Sequence, residues 1–385
     1  MKTEEVIESE KKHVMQTYGR NPVVVDHGKG CYLYSKDGKK YLDLIGSLAT
    51  APLGYGNSGL AKAVYAQSKK LVNVTNLFFT EEQVVLAEKI AKVSGLGKCF
   101  FSNSGSEANE VAIKLARKFT GKTEIISTED AFHGRTFGAL SATWKKKYKK
   151  YCEPLVPDFK HIPYNNVKAL ENAISSKTAA FIVEPIQGEA GIIVPDSDYL
   201  NKVSEICKKN NVLLIVDEIQ TNLRTGKFFA FQHNGIKPDI VTVAKGIANG
   251  VPIGITIASD KVADAFEKGD QGSTFGGNSL SCAAANFVID FVLDGKLIEN
   301  AQKVGNYFIK KLNELKVKGV VKDVRGKGLM IAVEMDKDVK SVADACLEKG
   351  LLVNVCTEKT LRFLPPLIIT EKEVDVAVNI LEEAL

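Results

Sequence analysis

Lys245 is the residue whose type and position in this 385-residue sequence point most directly to chemistry. It follows an apolar run, 240–244, that is typical of a buried strand, and lysine is almost never fully buried without a partner. Burial would lower the pKa of its ammonium group and favour attack of the neutral amine on a carbonyl carbon. The alternative, a side chain that extends from the strand end to water, is the commoner arrangement for a lysine.

The segment 104–107 (SGSE) stands between a predicted strand and a predicted helix. Ser104 and Glu107 have the spacing of a capping box. The free N–H groups of Gly105 and Ser106 would face an anion at the helix N-terminus. An ordinary helix cap without a ligand explains the same residues.

Asp217 ends a further predicted strand, and the segment 132–136 (FHGRT) follows another. The Asp217 carboxylate could pair with a protonated ring nitrogen of a cofactor. Phe132 could stack on a flat ring, and Arg135 could bind a carboxylate through two hydrogen bonds. The ordinary alternatives are a helix cap for Asp217, core packing for Phe132 and a surface ion pair for Arg135. Together, an anion cradle, an aromatic ring, a carboxylate and a lysine at successive strand ends indicate one ligand site.

The elements that must position these residues alternate along the middle of the chain. Six short runs are predicted strands, and their nearly continuous apolar character is typical of strands covered on both faces. Apolar residues recur at helical spacing between them, at 107–119 and 199–209. This alternation predicts an α/β fold with a mostly parallel central sheet. The predicted strands are 98–103, 124–127, 179–185, 212–217, 240–244 and 253–258.

The pattern changes after about residue 282, where long helical stretches lead into shorter elements. Near the N-terminus, Asp37-Gly38 predicts the turn of a hairpin. We predict three parts: residues 1–45 packing with the small domain, a large domain at 46–284, and a small α+β domain at 285–385. The last part has predicted helices at 282–297, 300–315, 342–349 and from residue 371, with strands at 320–325, 329–335, 351–355 and 361–364.

Composition narrows the functional classes. The formal net charge of +5 is too weak a bias to indicate nucleic-acid or membrane partners. The run 145–151 (KKKYKKY) leaves RNA binding as a rival hypothesis, although such runs are usually solvated surfaces. The seven cysteines and five histidines lack metal-ligand spacing, so we predict no metal. We see no signal-peptide pattern and no long apolar window, which favours a cytoplasmic protein.

Nine segments, in order along nearly the whole chain, resemble the class III, fold-type I pyridoxal-phosphate aminotransferases. The resemblance is strongest to the branch of that family that acts on N-acetylornithine. Because several motifs agree in their context, we expect the family's fold, a large domain with a mostly parallel sheet and a smaller α+β domain, and its cofactor. The segments are 17–23 (TYGRNPV), 103–117 (NSGSEANEVAIKLAR), 132–143 (FHGRTFGALSAT), 181–195 (FIVEPIQGEAGIIVP), 216–221 (VDEIQT), 244–246 (AKG), 272–282 (GSTFGGNSLSC), 324–334 (VRGKGLMIAVE) and 361–369 (LRFLPPLII).

The resemblance implies roles around the cofactor. Lys245 would form the Schiff base and move a proton between the substrate carbon and the cofactor, and Asp217 would pair with the pyridine nitrogen. Thr274 would reach the phosphate bound by the partner subunit, so an obligate homodimer with shared active sites is implied. The remaining expected cofactor-binding residues are Phe132 on the ring, Gln220 near the phenolic oxygen, and Ser104, Gly105 and Ser106 at the phosphate.

The resemblance also implies four substrate-binding residues: Arg135, Glu189, Ser273 and Arg362. Arg135 would bind the distal carboxylate of the substrate. Glu189 would neutralise Arg362 while an ω-amino donor is bound, and would release it for the α-carboxylate of glutamate. A movable partner makes physical sense because a buried unpaired arginine is costly, although a static salt bridge is the alternative.

The implied reaction transfers the δ-amino group of N2-acetylornithine to 2-oxoglutarate, giving N-acetylglutamate 5-semialdehyde and glutamate, as in arginine biosynthesis. Ornithine, 4-aminobutyrate, succinyl-diaminopimelate or another ω-amino acid are the alternative donors. Three segments depart from the family pattern: 47–51 (SLATA), 53–58 (LGYGNS) and 220–226 (QTNLRTG), the last one residue short. Leu48 nevertheless matches the aliphatic residue of the acetylornithine branch, where ornithine enzymes tend to carry tyrosine, and this favours an acylated donor.

Overall fold

The chain begins with a helix and a three-stranded antiparallel meander in the computed structural model, which describes residues 1–319 and 321–385. Leu33 lies opposite Tyr41 in the second pair of strands, so the predicted hairpin is confirmed. Gly38 in its turn has a φ of +83°, which glycine adopts without steric cost. The elements are α1 (Thr3–His13), β1 (Val25–Lys29), β2 (Tyr32–Ser35), β3 (Lys40–Asp43) and the one-turn helix α2 (Gly46–Ala49).

A seven-stranded sheet follows. Its strands are β4 (Lys98–Ser102), β5 (Glu124–Thr128), β6 (Phe159–Ile162), β7 (Thr178–Val183), β8 (Leu213–Asp217), β9 (Ile240–Val243) and β10 (Gly254–Ala258), in the order β4-β10-β9-β8-β7-β5-β6. The five strands β6, β5, β7, β8 and β9 are parallel to one another in this spatial order. Strand β10 runs antiparallel to β4 and β9. The mostly parallel sheet and its six predicted strands are therefore confirmed. The edge strand β6 was not predicted, because a lysine and a histidine interrupt its apolar pattern.

Helices connect these strands, and the two predicted from apolar spacing are confirmed. The helix α5 (Gly105–Thr120) buries Ala108, Val111 and Ala112 and ends at Gly121, whose φ of +67° is typical of a helix C-cap. The other helices of this region are α3 (Ser58–Lys70), α4 (Glu81–Ser94), α6 (Phe137–Ala142), α7 (Lys146–Lys149), α8 (Val167–Ala173), α9 (Tyr199–Lys209) and α10 (Asp260–Ala263), with 3-10 turns at Ala230–His233 and Lys245–Ala248.

The C-terminal region has a four-stranded antiparallel sheet in the order β11-β12-β15-β14. The strand predicted at 320–325 starts at Val320, which lies outside the described residues, and the structure has a strand three residues later. The elements are α11 (Ser279–Asp294), α12 (Leu297–Val317), β11 (Asp323–Lys327), β12 (Met330–Glu334), α13 (Lys340–Glu348), β13 (Leu351–Leu352), β14 (Asn354–Thr357), β15 (Thr360–Phe363) and α14 (Glu371–Ala384). No helix among the described residues is long and apolar enough to cross a membrane.

The two ends of the chain share a sheet. Leu351 of β13 lies opposite Leu42 of β3 in a parallel pair, which joins the N-terminal meander to the C-terminal region. This pairing is consistent with the predicted packing of residues 1–45, while the boundaries at 46–284 and 285–385 stay a prediction.

The carboxyl ends of β4, β5, β8 and β9 meet at one edge of the central sheet. Because β10 is antiparallel to both of its neighbours, β4 runs in the same direction as the parallel strands. Asp217 is the last residue of β8, and the segments after β4, β5 and β9 carry Ser104, Phe132 and Lys245. The fold therefore brings the predicted site residues to one place, as expected for an open α/β sheet.

Candidate active site

A cavity of about 310 Å³ opens at this edge of the sheet. Thr50 of the segment that departs from the family pattern also faces it, together with Val251 and Ile253 from the loop before β10. Eight predicted site residues line the cavity: Ser104, Gly105, Ser106, Phe132, Glu189, Asp217, Gln220 and Lys245.

The segment 104–107 forms the N-terminus of α5 at one end of the cavity. Ser104 is the N-cap, and its hydroxyl accepts a hydrogen bond from the Glu107 N–H at 3.2 Å. The predicted capping box is only half formed, because the Glu107 carboxylate accepts from the backbone N–H of Asn103 at 2.7 Å and not from that of Ser104. The N–H groups of Gly105 and Ser106 have no carbonyl partner within the helix and are available to an anion.

Glycine is required at two positions around this cradle. A Cβ on Gly105 would lie 2.8 Å from the side chain of Ile219. A Cβ on Gly134, whose φ is +140°, would lie 2.2 Å from the Ser106 hydroxyl. That hydroxyl also accepts a hydrogen bond from the Arg135 N–H at 3.1 Å, so the two loops are tied together.

Asp217 forms the floor of the cavity and is almost fully buried. One carboxylate oxygen accepts from the Asn109 amide at 2.8 Å and lies 2.8 Å from His133 Nδ1, and the other accepts from the Ile219 N–H at 3.0 Å. Sequence reasoning missed Asn109 and His133 as parts of the site. The one indication in the sequence was that Asn109 places an amide side chain within the apolar helical pattern of 107–119.

Phe132 lies between the cradle and the floor. Its backbone N–H donates to the Glu184 carboxylate at 3.1 Å, and the Gly188 N–H donates to the other oxygen of the same carboxylate at 3.2 Å. Burial raises the pKa of Glu184 to about 7, with the Asp217 charge adding to the rise and His133 opposing it. Glu184, which sequence reasoning also missed, thus joins the loop of Phe132 to the loop of Glu189.

Lys245 follows β9 in an unusual backbone conformation, with a φ of +51°. A non-glycine residue in this region is strained, and such strain is concentrated at functional sites. Burial lowers the pKa of the Lys245 ammonium group, as the sequence predicted. The Glu189 and Asp217 carboxylates oppose the shift, and the Arg362 charge adds to it.

The buried Arg362 and the half-buried Glu189 form an ion pair beside the cavity. Arg362 Nη1 lies 2.5 Å from Glu189 Oε1, and only 2% of the arginine side chain is exposed. The same nitrogen donates to Gly188 O and to Gln220 Oε1, both at 3.1 Å. Burial alone would raise the pKa of Glu189, but Arg362, followed by Lys245 and Gln220, outweighs burial and lowers that pKa to about 2. The carboxylate therefore stays ionised at neutral pH.

Arg135 lies at the rim and does not line the cavity. Its exposed guanidinium stacks on Tyr148, with 3.7 Å from Cζ to the ring centroid. It has no salt bridge to any residue of 1–319 or 321–385, so the surface ion pair considered from the sequence does not form. Tyr148 belongs to the lysine run 145–151, and so does Lys145. The ammonium group of Lys145 donates to Glu189 O at 3.0 Å. Part of that run therefore supports the site.

Ser273 and Thr274 lie away from the cavity of their own chain. The Ser273 hydroxyl accepts from the Gly276 N–H at 2.9 Å and from the Asn103 amide at 3.3 Å, while Thr274 is exposed. Beside them is an exposed apolar patch, here called the aromatic patch. It consists of Leu77 (86% exposed), Phe78 (65%), Phe79 (99%) and Phe275 (60%).

Two of the three segments that depart from the family pattern, 47–51 and 220–226, contact each other. In 220–226, Leu223 has a φ of +68°, and the buried Arg224 donates to Leu329 O at 3.2 Å and to Ala49 O at 3.4 Å. Burial, with the nearby Arg362 charge, lowers the pKa of Arg224 to about 9. Ala49 belongs to α2, whose four residues all have φ between +53° and +72°, so this turn is left-handed.

Residues 14–385 match the family model of the class III aminotransferases. The chain belongs to this family. The resemblance found in the sequence is confirmed, as are the fold-type I architecture and the dependence of the family on pyridoxal phosphate. Within the described residues, no cluster of three or more His, Cys, Asp or Glu side chains could hold a metal ion.

Relatives of this class III aminotransferase are similar over their whole length. The acetylornithine aminotransferase of Methanothermobacter thermautotrophicus is 47% identical over 99% of this chain and 98% of its own. That of Archaeoglobus fulgidus is 46% identical over 97% and 99%, respectively. Among solved structures, the acetylornithine aminotransferase of Elizabethkingia anophelis has a TM-score of 0.89 at 36% identity, covering 100% of this chain and 99% of its own. The ornithine aminotransferase of Toxoplasma gondii has a TM-score of 0.96 at 33% identity, covering 100% and 95%.

The residues of the cavity fit pyridoxal phosphate. The N–H groups of Gly105 and Ser106 at the N-terminus of α5 suit a phosphate, and the buried Asp217 suits a protonated ring nitrogen. Phe132 and Lys245 line the space between these two ends. The donor set therefore matches the cofactor of the family at the phosphate, at the ring and at the reactive amine.

Proposed function

We propose that this enzyme transfers the δ-amino group of N2-acetylornithine to 2-oxoglutarate, giving N-acetylglutamate 5-semialdehyde and glutamate. The two most similar relatives named above are acetylornithine aminotransferases at 46–47% identity, and their names supply the donor. The structural observation that carries the proposal is the Glu189–Arg362 pair beside the cavity, since two different amino donors must be accepted in turn. Neither the fold nor a TM-score distinguishes an acetylated donor from free ornithine.

In this proposal, Ser104, Gly105 and Ser106 bind the cofactor phosphate, and Gln220 lies near the phenolic oxygen. Phe132 stacks on the ring and Asp217 keeps the ring nitrogen protonated. When bound, pyridoxal phosphate supplies an electron-withdrawing ring that stabilises negative charge on the substrate carbon. Lys245 holds the cofactor covalently and then carries a proton on Nζ to and from the substrate carbon, which its lowered pKa favours.

Arg135 binds the carboxylate that lies farthest from the reacting carbon. Its guanidinium is exposed, planar and held over Tyr148, which leaves its N–H groups free to form two parallel hydrogen bonds with a carboxylate. Ser273 supports this side of the site through its contact with Asn103, whose segment leads into the anion cradle.

Glu189 controls the charge of Arg362. With an ω-amino donor, no carboxylate lies near the reacting carbon, and Glu189 neutralises Arg362. With glutamate, the α-carboxylate takes the place of Glu189 on Nη1. The exchange is physically reasonable because breaking a buried pair is costly unless a new anion replaces the old one.

The active form is a homodimer in this proposal. The aromatic patch supports it, because contiguous apolar surface of this kind marks protein–protein contact sites. Asn76 donates to Ser273 O at 3.1 Å, which joins the patch to the segment of Thr274. Thr274 would then reach the phosphate bound by the partner subunit. A cytoplasmic location stays a prediction.

Donor profiling tests the reaction. Purified enzyme with pyridoxal phosphate is assayed for glutamate formation from 2-oxoglutarate with N-acetylornithine, ornithine, 4-aminobutyrate, succinyl-diaminopimelate and lysine. The highest kcat/KM is expected for N-acetylornithine. A higher kcat/KM for any other donor would overturn the assignment and leave the class III reaction intact.

Light scattering tests the dimer. The wild type is expected at twice the mass of one chain, and Phe79→Asp is expected to give monomers that retain less cofactor. Val317→Asp, at a similarly exposed apolar residue on α12, serves as the matched control. A monomeric wild type with full activity would exclude the shared site.

A further inference from the structure

Asn354 holds the edge of the Arg362 guanidinium that is remote from Glu189. Its side-chain oxygen accepts from Arg362 Nε at 3.1 Å and from Nη2 at 2.8 Å. Glu189, Gln220 and Gly188 all accept from Nη1 on the other side. The guanidinium is thus divided into one edge bound by a neutral amide and one nitrogen that faces a charged partner.

The sheet register places the amide there. Asn354 of β14 lies directly opposite Arg362 of β15 in an antiparallel pair. Side chains opposite each other in such a pair project from the same face of the sheet and are neighbours. The contact is therefore built into two hydrogen-bonded strands and does not depend on the loop that carries Glu189.

Because the side chain of Asn354 is uncharged, Arg362 keeps its positive charge for carboxylate binding. An amide oxygen orients the two N–H groups but leaves the positive charge uncompensated when Glu189 moves away. An aspartate at this position would form a side-on ion pair with the same edge. That pair would compensate the charge permanently and would weaken the attraction for an incoming carboxylate.

We infer that Asn354 is a positioning residue that keeps Arg362 oriented and charged for the α-carboxylate of glutamate, and so determines the use of a dicarboxylic amino donor. The inference rests on the proposed function, in which Glu189 and glutamate exchange at Nη1. Asn354 itself touches neither the reacting atoms nor the cavity. It acts through the guanidinium, without which its amide has no influence on the substrate.

Two substitutions separate orientation from charge. In Asn354→Asp the shape and the acceptor remain, but kcat/KM of the glutamate half-reaction is expected to fall at least about tenfold, since one strong ion pair is lost to the substrate. In Asn354→Ala, KM for glutamate is expected to rise by about tenfold, because two N–H groups lose their acceptor. The N-acetylornithine half-reaction is expected to stay within about twofold in both variants.

The experiment follows each half-reaction separately, by the change in cofactor absorbance in single turnovers with glutamate or with N-acetylornithine. Calorimetric binding of glutarate, an unreactive dicarboxylate, gives a readout that is independent of turnover, and its affinity is expected to fall in parallel with the glutamate reaction. Asn306→Asp adds the same charge to the exposed face of α12 and is the matched control.

The outcomes distinguish this inference from the proposed function. A wild type that reacts with glutamate, together with an Asn354→Asp variant that reacts equally well, would refute the role of Asn354 alone. Equal losses in both half-reactions, with a lower melting temperature, would likewise refute it in favour of a structural role. A wild type that neither reacts with glutamate nor binds glutarate would refute the proposed exchange at Arg362 and this inference together.

Discussion

Two regions of the site, the floor of the cavity and the carboxylate end formed by Arg362 and Arg135, are held in different ways. At the floor, Asp217 is fixed by the buried Asn109 and His133 and by the backbone N–H of the half-buried Ile219. At the carboxylate end, Arg362 has one charged partner on a loop, and Arg135 is exposed. In the proposed function, the floor serves every substrate, whereas the carboxylate end rearranges between substrates. Changes at the floor should therefore damage both half-reactions, and changes at the carboxylate end should separate them.

The largest effect is expected from Lys245→Ala. Under the proposed function, the variant loses both the covalent attachment and the group that moves the proton, so turnover should fall at least about 10⁴-fold in both half-reactions. Steady-state assays and the absorbance of the dialysed protein measure this. Lys237→Ala, at an exposed lysine before β9, should retain full activity and colour. A coloured, active Lys245→Ala protein would exclude the assigned lysine.

Asp217→Ala should come next, with a loss of about 10² to 10³ in kcat, because a fixed charge is removed from a water-poor site. The two half-reactions should fall by the same factor, and the dissociation constant of pyridoxal phosphate should rise. Half-reaction rates and fluorescence titration of the apoenzyme provide the measurement. A loss confined to one half-reaction would contradict the description of the floor as common to all substrates.

Glu189→Gln should change the kcat/KM of one half-reaction relative to that of the other. The neutral side chain no longer compensates Arg362, so kcat/KM with N-acetylornithine should fall by about 30-fold relative to that with glutamate. Single-turnover rates with each substrate give the ratio. Gln220→Glu is the informative reverse change, since it adds a second carboxylate beside Nη1 and should disfavour glutamate. An unchanged ratio in Glu189→Gln would support a static salt bridge.

Arg135→Ala should have a smaller effect, an increase of about tenfold in KM with little change in kcat, because it removes a carboxylate contact at the rim. Arg135→Lys should recover only part of the loss, since lysine lacks the planar fork. Initial rates over a range of substrate concentrations test both. An effect on kcat alone would place Arg135 in the chemical step and not in binding.

The smallest effect concerns stability against pH. The pKa of Glu189 is about 2 in the folded protein, below the value of about 4.3 for an unfolded chain. A carboxylate with a lowered pKa stabilises the fold above its unfolded pKa, and this contribution is lost as the pH falls from about 4 towards 2. Wild type should therefore melt several degrees above Glu189→Gln at pH 7, and the difference should shrink below pH 4. A constant difference across that range would mean that the ion pair does not stabilise the fold.

Much of the cavity could be predicted from the sequence because its residues lie at the ends of strands with nearly continuous apolar patterns. Lys245, Asp217 and the anion cradle are local features of such strand ends, so their convergence follows from the topology of a parallel sheet. The strand ends alone did not identify Arg362 and Glu189, which came only from the family resemblance, because they are 173 positions apart and meet only through tertiary packing.

Other features were beyond sequence reasoning. Asn354 depends on the register of β14 against β15, and an irregularity between Val355 and Thr357 shifts that register. No local pattern in the sequence indicates that Thr274 lies away from the cavity of its own chain. His133 stood within a recognised motif, but its contact with Asp217 requires two strand ends to be placed side by side.

The left-handed turn α2 links the donor-facing rim to the assembly of the fold. A left-handed conformation costs roughly 1–2 kcal/mol for each non-glycine residue, and Ser47, Leu48 and Ala49 all adopt it. A Cβ on Gly46 would lie 2.1 Å from Leu364 O, so the turn closes against the end of β15. It can persist only after that strand and Arg224 are in place. Because Thr50 of this turn lines the cavity, substitutions in 47–50 are expected to change the yield of folded protein together with the shape of the rim.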